Sequence, residues 1–117
     1  MPRFGDKMVA LRESPAPPPL QPFAPIGQLL GEPRFRWQPH GDAWLYRVEL
    51  TDDEGRLVGR GWAGQHELPL AWLRDPEGYP PQLDVGRRYR WRVDAYKDGP
   101  DAPPMAAAEA EFLFLGP

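Results

Sequence analysis

Residues 83–96 read LDVGRRYRWRVDAY. From Tyr89 onward, Tyr89, Trp91, Val93 and Ala95 fall on alternate positions, with Arg88, Arg90, Arg92 and Asp94 beside and between them. Successive side chains of a strand point to opposite faces, so this pattern reads as a strand with one apolar and one charged face. Such alternation suits an antiparallel sheet that covers one face and wets the other.

The same period recurs outward from this stretch. PRFRWQ at 33–38 alternates Phe35 and Trp37 against Arg34, Arg36 and Gln38. After a turn at His40–Gly41–Asp42, AWLYRVELT at 43–51 alternates Trp44, Tyr46, Val48 and Leu50 against Leu45, Arg47 and Glu49. DDEG at 52–55 suits a type I turn closing a hairpin onto RLVGRGWAG at 56–64. HELPLAWL at 66–73 reads as a short strand and a helical turn, with Trp72 and Leu73 expected to cap the core under the 74–82 loop. FAPIGQLL at 23–30 reads as one edge strand, where Pro25 is tolerated. The last strand is AAAEAEFLFL at 106–115, strand by its alternation despite the helix propensity of its alanines. The expectation is an all-β, seven-stranded antiparallel β-sandwich over residues 22–117. PAPPP at 15–19 is a polyproline-type run, so residues 1–21 read as a Pro-rich tail or linker.

Composition bounds the rest. Twelve glycines and seventeen prolines make about a quarter of the 117 residues, but five Trp, four Tyr and five Phe oppose disorder. Fourteen basic and seventeen acidic residues give a net charge of −3, which offers no electrostatic footprint for nucleic acid. There is no cysteine, hence no disulfide or thiolate chemistry. No apolar run approaches the roughly 18 residues of a membrane span, and no membrane insertion is expected. The first residues lack the apolar core of a signal peptide.

Leu83, Gly86, Tyr89 and Trp91, at the spacing L-x-x-G-x-x-Y-x-W, resemble the turn into the sixth strand of fibronectin type III domains. The resemblance implies that Leu83 plugs the end of the core, that Gly86 permits the corner, and that the Tyr89 hydroxyl bonds to backbone just upstream. It also makes P-x-F-x-W at 33–37 the second strand, with Trp37 as the central core tryptophan, and the Tyr46 strand the third. Domains of that family act chiefly as spacers and protein-binding modules, so the resemblance implies a non-catalytic interaction or spacer role. The run 23–50 is also similar to type III-like domains of bacterial envelope proteins, some lying beyond the membrane helix of anti-sigma factors. On that likeness the chain is an excised or separately encoded sensor-side domain of a membrane regulator, periplasmic or extracellular if excised. If Met1 is the native start, the expectation is a cytoplasmic module.

Chemistry is sparsely supplied. Ser14 and Thr51 are the only hydroxyl nucleophiles, one in the tail and one at a strand end, so no catalytic residue is assigned. His40 and His66 form no metal-ligand pattern, and no cofactor is implied. Asp52, Asp53 and Glu54 could attract calcium, but a hairpin turn is the favoured explanation. Arg34, Arg36, Arg47, Arg90 and Arg92 would lie on outward faces among Glu49, Asp94, Glu109 and Glu111, where cross-strand pairing is the simple account. Trp37, Tyr46, Tyr89, Trp91 and Phe112 fit the core. A protein partner could bind the edge strand 56–64 and neighbouring loops by strand addition or through Trp62, between glycines in GWAG, as an anchor with Arg60 and Arg47 flanking. With Trp44, Trp62 could instead stack on a sugar, which keeps a carbohydrate-binding module of the envelope open. A third reading folds Trp62 over the end of the sandwich.

Overall fold

A computed structural model describes residues 20–117, so the expected tail at 1–19 lies outside the described residues. Eight strands run through them: β1 Pro22–Ala24, β2 Gly27–Leu29, β3 Arg34–Trp37, β4 Leu45–Asp52, β5 Leu57–Ala63, β6 Glu67–Pro69, β7 Arg88–Tyr96 and β8 Ala106–Phe114. They form a three-stranded sheet, β1-β3-β6, and a five-stranded sheet, β2-β8-β7-β4-β5.

The count therefore departs from seven, and the larger sheet is mixed. FAPIGQLL is not one strand. Its first part pairs antiparallel with β3, and its second pairs parallel with β8. Pro25 sits at the break, and with no N–H it cannot continue a ladder. The chain crosses there from one sheet to the other. The Pro25 carbonyl accepts a 2.8 Å hydrogen bond from Trp91 Nε1, which fixes the crossing to the core.

The two sheets share one core. Phe35, Trp37 and Leu68 come from the smaller sheet, and Tyr46, Val48, Leu50, Tyr89, Trp91, Val93, Phe112 and Phe114 from the larger. Phe35 meets Trp91 edge-on at 5.3 Å, and Trp37 lies 5.3 Å from Tyr46 and 6.5 Å from Trp91. Tyr89 stacks on Phe112 at 5.7 Å. Offset and edge contacts of this kind add to area burial. The core also reaches back into the expected linker: Leu20 is buried, and the Gln21 carbonyl accepts from Gln38 N.

Two tyrosine hydroxyls close the ends of the core. Asp84 N donates to Tyr89 Oη at 2.7 Å, and His40 N donates to Tyr46 Oη at 3.0 Å. Gly86 turns the chain into β7 with φ +84°, a conformation that disfavours any side chain. Leu83 packs partly buried against the core at that end. The 3₁₀ turn Leu70–Trp72 corrects one expectation. Leu73 is fully buried, but Trp72 is 67% exposed and caps nothing. Consecutive side chains in so tight a turn diverge, so only Leu70 and Leu73 face inward.

Candidate interaction surface

The outward face of the larger sheet carries the most organised polar chemistry among the described residues. Register sets it. Arg47 lies opposite Trp62 on one side and Asp94 on the other, and Glu49 lies opposite Arg60 and Arg92. Across β7 and β8, Arg90 faces Glu111 and Arg92 faces Glu109. Directly opposed side chains are close enough to interact.

At the centre is Asp94. It faces outward as the alternation requires, yet it is only 1% exposed. Arg47 Nη2 reaches one carboxylate oxygen at 2.9 Å and Arg92 Nε the other at 2.8 Å. The hydrogen bond to Asp94 raises the Arg92 guanidinium above its ordinary pKa. A carboxylate removed from water needs such partners. Arg47 also lies over the Trp62 ring at 5.8 Å and the Tyr96 ring at 5.9 Å, while the two rings sit 5.4 Å apart. Both distances are within cation–π reach. Tyr96 is fully covered, and Trp62 keeps 41% of its surface exposed. Trp62 thus lies on the outer face of the sheet and does not fold over its end.

Gly59 and Gly61 point inward beneath this surface. A Cβ on Gly61 would come within 2.9 Å of Leu73 Cδ2 and 3.1 Å of Leu68 Cδ2, and one on Gly59 within 3.1 Å of Leu73 Cβ. The glycines around Trp62 therefore admit the buried leucines. Arg60 and Arg74 exchange two backbone hydrogen bonds of 2.9 Å. That bridge occupies the β5 edge at Arg60, where an added strand would have to pair. The Arg60 side chain is committed as well, to Glu49 at 2.7 Å.

The remaining candidates lie apart. Trp44 is exposed at the end of β4, with its Nε1 donating to the Lys97 carbonyl. The 52–55 turn explains its own acids: Asp52 Oδ1 accepts from Glu54 N at 2.9 Å and Arg56 N at 3.0 Å, and Oδ2 from Arg56 Nε at 3.2 Å. Those backbone donors, Arg56 N first, hold Asp52 below its ordinary pKa. No group of three or more metal-ligating side chains occurs among the described residues, and no helix there is long and apolar enough to cross a membrane. Arg34, Arg47, Arg90 and Arg92 are each paired to a carboxylate, while Arg36 and Arg88 have no ion pair among the described residues.

Tyr96 and the burial of Asp94 escaped the sequence reading. Both continue the outward set 88, 90, 92, and for Tyr96 that was a signal, since an aromatic ending a charged face needs a neighbour to cover it. Comparisons with protein-family models, curated proteins and solved structures returned no match.

Proposed function

We propose that this chain is a fibronectin type III-like, non-catalytic interaction domain that presents Trp62 to a protein partner. Support for the fold assignment comes from two sheets that enclose one core and from the Asp84–Tyr89 bond at the corner. One observation carries the functional reading: Trp62 is half exposed but held, laid against Tyr96 and Arg47 over a buried carboxylate. A preordered aromatic loses little conformational freedom on binding, which favours it as an anchor. The bridge at Arg60 disfavours strand addition, so the reading rests on the side-chain anchor.

Trp62→Ala tests it. An anchor that serves a partner is expendable to the fold, so urea unfolding should show a loss of less than about 1 kcal/mol. A photocrosslinking residue at position 62 should then trap one discrete protein in cells that express the chain. A loss of roughly 3–5 kcal/mol would make Trp62 a structural residue and refute the reading. If indole fluorescence shifts with an oligosaccharide and the shift disappears in Trp62→Ala, the surface is a carbohydrate platform instead.

A further inference from the structure

The acidic end of the domain has a matching segment within the same chain. Loops 38–44 and 97–105 meet there. Trp44 N donates to the Tyr96 carbonyl at 3.1 Å, Trp44 Nε1 to the Lys97 carbonyl, and Lys97 lies 3.7 Å from Asp42. The joined surface exposes Trp44 at 56% and Met105 at 40%. It also exposes Asp42, Asp98 and Asp101 against the single cation Lys97. Asp98 and Asp101 have no ion-pair partner among the described residues.

Pairing of Pro22 with Trp37 and of Gln21 with Gln38 runs the chain, read backwards, toward loop 38–44. Leu20 is buried where that path leaves the core. Residues 1–12, MPRFGDKMVALR, carry Arg3, Lys7 and Arg12 against Asp6, and the apolar side chains Phe4, Met8, Val9 and Leu11. Seven residues, 13–19, separate the two parts in the sequence. At the polyproline rise of about 3.1 Å per residue, a chain of that length can reach roughly 20 Å, enough to cross an end made by two sheets about 10 Å apart.

We propose that Met1–Arg12 is the ligand of this end, binding intramolecularly through its cations to Asp98 and Asp101 and through its apolar side chains to Trp44 and Met105. A short tether gives an effective concentration of order millimolar, so even a weak contact is well populated. The contact covers Trp44 and leaves Trp62, on the outer face, free for a partner.

The chain has no cysteine, so Gly5→Cys in the full-length protein carries a single nitroxide label. The expected result is NMR line broadening at the Trp44 indole N–H and at amides of 40–44 and 97–105, with amides of 84–87 at the far end unaffected. It should persist on about tenfold dilution. It should fall by about half or more in Asp98→Lys/Asp101→Lys and in roughly 0.5 M salt, where exposed charges are screened within a few ångströms. Equal broadening at both ends, or broadening confined to 20–24, would overturn the proposal. Broadening that fades as unlabelled chain is added would overturn the intramolecular contact and assign the site to a second copy.

Discussion

On its inward side β7 presents Tyr89, Trp91, Val93 and Ala95 to the buried apolar core. On its outward side the same strand presents Arg90, Arg92, Asp94 and Tyr96, bound into a lattice of opposed charges with one aromatic laid across it. The inward face gains by removing apolar area from water, in proportion to that area. The outward face gains by direction: each group needs a particular partner, and only Asp94 and Tyr96 are deeply covered. Inward substitutions should therefore cost by volume. Outward ones should cost by whether a buried group is left without its partner.

The largest effect should follow Trp91→Ala, which empties the centre of the core and abandons the Pro25 carbonyl. A loss of about 3–5 kcal/mol in denaturant unfolding is expected. Asp94→Ala comes next, at about 2 kcal/mol, because it leaves Arg47 and Arg92 facing each other without a carboxylate. If Asp94→Ala proved as mild as a substitution of exposed Glu109, the distinction between the covered and open parts of that face would fail.

The two tyrosine hydroxyls sharpen the comparison. Both accept a backbone N–H, but the bond from His40 is buried and that from Asp84 is only partly so. Tyr46→Phe should cost about 1–2 kcal/mol and Tyr89→Phe less, since water can replace the hydroxyl more easily at Asp84. The smallest effect is one of pH. Asp52 is held below the ordinary carboxylate value of 3.8. A depressed folded pKa contributes stability that is present above the unfolded value and lost as pH falls through the folded one. Acid titration of stability below pH 3.8 should therefore flatten in Asp52→Asn.

The inward face was legible in the sequence because period two is a local signal. Trp37, Tyr46, Tyr89, Trp91 and Phe112 are all buried, each on the face its alternation assigned. The hydrogen bond at Tyr89 was foreshadowed by Leu83 and Gly86 at fixed spacing. The equivalent bond at Tyr46 has no such signature, since HGDAW gives no sign that the His40 amide turns back. Division of FAPIGQLL was hidden because Pro25 marks a break without saying which sheet receives the next residues. Burial of Asp94 depends on Arg47 and Arg92, drawn from two strands, and no single strand's pattern reports it.

The crossing at Pro25 has a mechanical consequence. β2 enters the sheet early in the described chain and runs parallel to β8, which leaves the sheet at its end. A force that pulls these two ends apart slides β2 along β8. The pairs Gly27–Phe112, Gln28–Leu113 and Leu29–Phe114 then bear the load together, and cannot open one after another as in a hairpin pulled from its mouth. The short strand that disturbs the antiparallel order is the one that would make the domain resist tension.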